Sequence, residues 1–222
     1  MKNRKNIFVL LILLFFPSEY LFSDNIKVLF ILPQKYGLNG HLSREMFDSF
    51  GWDVTIAGVD SIILPCDYSL SQGSKPFNVD ITIAEINNVN QYDCIVISSM
   101  SWAENYITAY NDLMNCAELI TLLNTANNEG IVIAATCAGV RVLATADIIN
   151  GRNVTGKAGP NNYYANEYVT AGATFLGENI LPVIDGNIVT TTRGQYYMKQ
   201  NCEALMIAIQ NSKNLRKNKE VK

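Results

Sequence analysis

The most constraining feature of the chain is the apolar run from Ile131 to Ala135, which passes through Thr136-Cys137-Ala138-Gly139 directly into a helical stretch, Val140 to Ala146. A strand without a polar residue is buried on both faces, the habit of a parallel sheet covered by helices. To turn from strand to helix within a few residues the chain must reverse sharply, and large neighbours would collide with one element or the other. Ala135, Ala138 and Gly139 are small enough, and they leave Cys137 as the reactive side chain on the turn. Ligands of open parallel sheets bind at the carboxyl ends of the strands, so the position predicts a functional thiol. The adjoining helix N-terminus favours negative charge and predicts a Cys137 shifted toward its thiolate. The competing reading of the residue alone is a buried core cysteine. The backbone N–H of Ala138 and one from the loop at Ser99 and Met100 are candidate donors to an oxyanion or an oxidised sulfur.

The same alternation of strand and helix runs through the chain. Ile26 to Leu32 reads as a first strand. Beyond the loop Gly37-Leu38-Asn39-Gly40, Leu42, Met46, Phe47 and Phe50 recur at helical spacing until Gly51. Asp53 to Ala57 is a second strand. Pro65, Gly73 and Pro76 punctuate the segment 61–90 while Val79, Ile81 and Ile83 alternate, which predicts a loop and a short edge hairpin. Asp93 to Ser98 is a buried strand, followed by a helix carrying Leu113, Ala117, Ile120 and Leu123 on one face. Asn153-Val154-Thr155, Ile188 to Thr191 and a closing helix from about Tyr197 to Ile209 complete the order. It predicts a single α/β domain, a doubly wound, mainly parallel, flavodoxin-like sheet flanked by helices. With 222 residues, 49% of them hydrophobic, the chain can bury one such core.

Met-Lys-Asn-Arg-Lys, the uncharged run Ile7 to Phe16 and the small Ser23 have the grammar of a secretory signal peptide over 1–23. The domain is then expected over 24–211, with a basic C-terminal tail at 212–222, in a periplasmic or secreted protein. An uncleaved N-terminal anchor is the alternative. No membrane association is expected after cleavage, because no later run approaches the ~20 apolar residues of a span. Cleavage removes three basic residues and one acidic residue, so the formal charge of −3 becomes −5, unsuited to nucleic acid. Export would permit disulfides among Cys66, Cys94, Cys116, Cys137 and Cys202, and their odd number leaves at least one thiol; the spacing does not give pairings. With no CxxC and a single His, no metal site is expected. Neither GxGxxG nor a P-loop follows a strand, so no nucleotide cofactor is expected either.

The run GIVIAATCAGVRVLATADIINGRNVT at 130–155 resembles the nucleophile region of the ThiJ/PfpI superfamily, a family of class I glutamine-amidotransferase-like fold. Tyr-Asp-Cys-Ile-Val-Ile at 92–97, Val-Thr-Ala-Gly-Ala at 169–173 and the stretch Asp185 to Gly194 are similar to further parts of it, so the likeness runs from Lys27 to Ile209. The resemblance implies that Cys137 is the family's reactive cysteine, that the protein is a homodimer, and that Arg193 either borders the pocket or makes a structural pairing. It implies cysteine-dependent hydrolase or glyoxalase/deglycase-like chemistry on a small carbonyl or peptide substrate, or oxidation of the thiol.

Four positions depart from the pattern. Asn39 or Gly40 stands where the family holds an acid against the cysteine, and Ala138 where the protease branch has a His. Lys157 stands where the deglycase-like branch has a His, and Ser99 and Met100 replace paired glycines. His41, in the same loop as the missing acid and just before the first helix, is the compensating candidate through a thiolate–imidazolium pair, the alternative being an exposed or capping role. Glu45 falls beside Arg44 and Asp48 on a polar helix face, which favours a solvated role over that of a displaced acid. Tyr163, Tyr164, Tyr196 and Tyr197 read as an entrance lining or as half-buried packing, and Trp52 and Trp102 as core or rim. Two functions remain: a Cys137 enzyme, or a non-catalytic redox-sensing or binding protein of the same fold.

Overall fold

The computed structural model describes residues 25–99, 105–178, 181–192 and 198–220. The segment 1–23, expected to be a signal peptide, and the candidates Met100, Trp102, Arg193, Tyr196 and Tyr197 lie outside them. In chain order the elements are β1 (Lys27–Ile31), α1 (Leu38–Ser49), β2 (Asp53–Gly58), β3 (Ile62–Ile63), α2 (Asp67–Ser71), β4 (Phe77–Asn78), β5 (Ile81–Thr82) and β6 (Cys94–Ile97). They continue with α3 (Asn111–Met114), α4 (Ala117–Glu129), β7 (Val132–Thr136), α5 (Val140–Thr145) and β8 (Asn153–Val154). The last are α6 (Tyr163–Thr170), β9 (Thr174–Phe175), β10 (Val183–Asp185), β11 (Ile188–Thr191) and α7 (Met198–Glu220).

The main sheet runs β10-β11-β7-β6-β1-β2-β5 and is parallel except for β10, which pairs antiparallel with β11. The doubly wound expectation therefore holds. Alternation along the strands sorts the side chains onto two faces. Leu29, Ile31, Ile95, Ile97 and Ile133 pack with Leu113, Leu119, Leu123 and Val142 of α3 to α5. Val28, Phe30, Val96, Val132 and Ala134 pack with Phe47 of α1 and with Cys202, Leu205 and Ile209 of α7. Each such buried aliphatic side chain contributes on the order of 1.5–3 kcal/mol. Trp52 joins the second core, stacked on Phe47 with ring centroids 5.2 Å apart.

Three expectations change in detail. The hairpin of the 61–90 segment is made by β3 and β4, while β5 joins the main sheet parallel to β2 and Ile83 already begins a 3-10 turn. The first helix begins at Leu38, capped by Gly37 in extended conformation, so Asn39, Gly40 and His41 belong to its first turn rather than to a loop. The closing helix runs to Glu220, past Ile209, so the basic residues from Lys213 to Lys219 are helical. Ser212 Oγ donates to Gly130 O at 2.5 Å and Lys213 pairs with Asp93 at 2.9 Å, which ties this end of the helix to the domain. Among the described residues no helix is long and apolar enough to cross a membrane.

Register levels the carboxyl ends of the central strands. Ile31 pairs with Ile97, Ile97 with Ala135, and Thr136 with Thr191. Cys137 therefore emerges at the middle of one sheet edge, between the ends of β6 and β11.

Candidate functional site

Cys137 has φ +57°, in the left-handed region, and opens a single 3-10 turn, Cys137–Gly139, that leads into α5. A side chain with Cβ in that region costs roughly 1–2 kcal/mol, so the surroundings must impose it. Ala138 is fully buried. Gly139 lies so close to β6 that a Cβ would stand 3.2 Å from Ser98 O and 3.3 Å from Ile97 Cγ2. On the other side, Lys157 N–H donates to Cys137 O at 3.1 Å, and a Cβ on Gly156 would stand 2.9 Å from that same oxygen. The elbow is thus wedged between the end of β6 and the strap 155–157.

The strap is itself tied down. Thr155 N–H donates to Thr190 Oγ1 at 2.9 Å, Thr155 Oγ1 to Gly177 O at 2.5 Å, and Thr192 Oγ1 to Gly156 O at 3.3 Å. Lys157 Nζ pairs with Glu178 at 2.7 Å, and Tyr168 Oη donates to Lys157 O at 3.0 Å. Lys157, expected near the pocket, accordingly meets the elbow through its backbone.

Gly40 and Asn39 are both buried. A Cβ on Gly40 would stand 2.8 Å from the Tyr36 ring and 2.9 Å from Ser98 Oγ, so the helix start approaches β6 too closely for a carboxylate-bearing side chain. Ser99 is buried, and its carbonyl accepts from Gly37 N–H at 2.9 Å, which joins the loop after β1 to the end of β6. His41 is about one third exposed, and its Nε2 stands 3.3 Å from Glu45 Oε1 one turn along α1. The contact the structure gives this imidazole is with its own helix, and its partner Glu45 is itself exposed to solvent.

Residues that sequence reasoning passed over surround the other flank. Arg141, one turn after Cys137, is 3% exposed and uses all five of its donors. Nε and one Nη go to the Glu167 carboxylate at 2.6 and 2.8 Å; the rest go to the carbonyls of Tyr106, Ile107 and Ala109 at 3.2, 3.2 and 2.5 Å. Its guanidinium lies 4.7 Å from the Tyr164 ring centroid and 5.7 Å from that of Tyr163. Tyr164 and Tyr168 are fully buried, and burial pushes both phenols up, with the negative charge of an ionised Cys137 adding to the effect. Tyr163 is half-buried and edge-on to Tyr106, so this pair of tyrosines is packing around Arg141. The available signal was Arg141 itself, a cation inside the apolar run Val140 to Leu143.

None of the five cysteines is in a disulfide. Cys94 and Cys202 are wholly buried behind the sheet, and burial pushes Cys202 up to about 12 and Cys94 further. Cys66 caps α2, and Cys116 precedes α4 with its thiol also raised by burial. Cys137 alone occupies a left-handed turn at the sheet edge. Among the described residues no three His, Cys, Asp or Glu side chains converge to hold a metal. A cavity of about 480 Å³ between α4 and the segment after β5 shares no residue with the elbow.

The family model described as DJ-1/PfpI matches residues 27–206. An uncharacterized protein of Methanocaldococcus jannaschii is 30% identical over 174 residues, 78% of this chain and 77% of that protein. Protein DJ-1 homolog D of Arabidopsis thaliana is 32% identical over 128 residues, 55% of this chain; the match spans 29% of the plant protein. The solved structure of Drosophila melanogaster DJ-1beta is similar with a TM-score of 0.66 at 17% identity, covering 88% of this chain and 97% of that one.

Proposed function

The chain belongs to the DJ-1/PfpI family, and from that premise we propose that it is an exported cysteine-dependent enzyme acting on small carbonyl or peptide substrates through Cys137. The observation that carries the reading is the left-handed Cys137 at the carboxyl end of a central strand, held on both sides by close packing. Structures keep such strain where a side chain must be presented outward. The thiolate sulfur attacks the carbonyl carbon, a C–S bond forms, and the carbonyl electron pair moves onto oxygen beside the Ala138 N–H. With an α-oxoaldehyde the adduct is a hemithioacetal, its oxygen protonated from solvent; with a peptide it is a tetrahedral intermediate.

A second reading has a specific observation behind it. Gly40 has no space for the family's acid and His41 turns to Glu45, which leaves proton transfer poorly served and favours instead a thiol that a peroxide oxidises, one equivalent to sulfenate and a second to sulfinate, each reduced to water.

The test is consumption of α-oxoaldehydes and a peptide panel by the purified mature protein, alongside iodoacetamide labelling of Cys137 at neutral pH. Turnover that disappears in Cys137→Ser supports the enzyme. Rapid labelling without turnover, with peroxide-dependent sulfinate in its place, favours the second reading; no labelling before unfolding removes both. N-terminal sequencing of the exported protein tests cleavage after Ser23, and sedimentation tests the homodimer.

A further inference from the structure

On the sheet face that packs against α1 and α7, side chains of Ser43, Phe47, Ala134, Thr136, Thr191 and Asn201 surround a cavity of about 20 Å³. Asn201 is 6% exposed and Thr191 4%. Among the described residues, neither Oδ1 nor Nδ2 of Asn201, nor Oγ1 of Thr191, has a hydrogen-bond partner. The other two hydroxyls at the cavity are engaged: Ser43 Oγ with Met198 Sδ at 3.4 Å, and Thr136 Oγ1 with Ile97 O at 3.3 Å. Three of the four such buried atoms among the described residues therefore belong to two residues that line this cavity, one donor, one acceptor and one group that is either; the fourth, Ser74 Oγ, lies elsewhere.

A buried polar atom left unpaired is costly, and three at one place compound that cost. A water molecule needs a cavity of roughly 10–15 Å³ or more and two to four polar partners. This cavity has the size for one and offers three. We propose that it binds a single ordered water that donates to Asn201 Oδ1, accepts from Asn201 Nδ2 and exchanges a third bond with the Thr191 hydroxyl. The water links α7 to the end of β11, and through the cavity wall it lies against Thr136, the residue before Cys137. It completes the back support of the elbow, where an apolar side chain of the same size would lack the reach to three polar atoms.

A high-resolution crystal structure of the full chain should show one isolated peak in this cavity within hydrogen-bond distance of Asn201 and Thr191. Water-oxygen-17 relaxation dispersion should lose the contribution of one long-lived water in Thr191→Val/Asn201→Leu, which removes the polar atoms and fills the space. A cavity without a peak, or an Asn201 carboxamide bonded to protein atoms, overturns the proposal. So does a folded double variant with wild-type dispersion; if that variant does not fold, the crystal peak decides alone.

Discussion

The N–H of Lys157 donates to the carbonyl oxygen of Cys137 at 3.1 Å, so the strained peptide that presents the thiol is gripped by a segment twenty residues further along. Gly156 makes the grip possible, because a Cβ there would stand 2.9 Å from the same oxygen and 3.1 Å from Val140 Cγ2. Gly156→Ala should push the strap off the elbow and cost about 1–3 kcal/mol, as overpacking does. A shift of about 1 Å in a reacting group can lower a rate by up to ~100-fold. Iodoacetamide labelling of Cys137 in the folded variant should therefore slow more than labelling of Cys116; equal slowing of both would refute the grip.

Because Cys137 has φ +57°, its strain can be weighed by substitution. Glycine adopts this conformation without a steric penalty, whereas alanine keeps the Cβ that conflicts with the following carbonyl. Both remove the thiol, so Cys137→Gly should be about 1 kcal/mol more stable than Cys137→Ala despite the greater freedom of glycine in the unfolded chain. Urea midpoints of the two variants give the comparison, and an alanine variant as stable as the glycine one would mean that the turn relaxes.

The turn is legible in the sequence because everything that makes it is local: an apolar strand, small residues at 135, 138 and 139, and a helix at once after. The sheet is legible for the same reason, apart from the short pieces of the 61–90 segment, where two-residue strands carry too little pattern. His41 is misplaced by reading the helix start too late. Once Leu38 is helical, His41 and Glu45 stand four apart on one face, a spacing visible in the sequence. Arg141–Glu167 and Lys157–Glu178 are separated by 26 and 21 residues, and no periodicity links them. Such contacts belong to tertiary packing.

Arg141 places a buried cation under the elbow helix with every donor used, three of them on the carbonyls of 106–109 and two on Glu167. Arg141→Met would leave those carbonyls without their donors and Glu167 without its partner. Breaking a fully buried pair from one side costs about 3–5 kcal/mol; Glu167 is about one third exposed and can be solvated, so the loss should fall at or below the lower end of that range. Arg141→Lys should recover only part of this, since an ammonium cannot span the carboxylate and three carbonyls together. Chemical denaturation measures both; a loss below about 1 kcal/mol for Arg141→Met would mean that the network contributes little.

Asp112 gives a pH dependence with a defined sign. Its Oδ2 accepts from Gln34 N–H at 2.7 Å, yet burial raises its pKa, with nearby Asp60 adding to the rise and the backbone bonds opposing it. In the unfolded chain an aspartate titrates near ~3.9. A raised folded value means that the fold favours the protonated form, so Asp112 contributes stability that is fully present below the unfolded value. That contribution is lost as pH rises through the folded value. Asp112→Asn keeps an acceptor for Gln34 N–H and carries no charge, so it should be more stable than the wild type at pH 7. The advantage should shrink steadily as the pH is lowered toward 4, which urea unfolding across that range would trace. A difference that stays constant with pH would mean that the substitution acts through packing and that the carboxylate is not penalised by its burial.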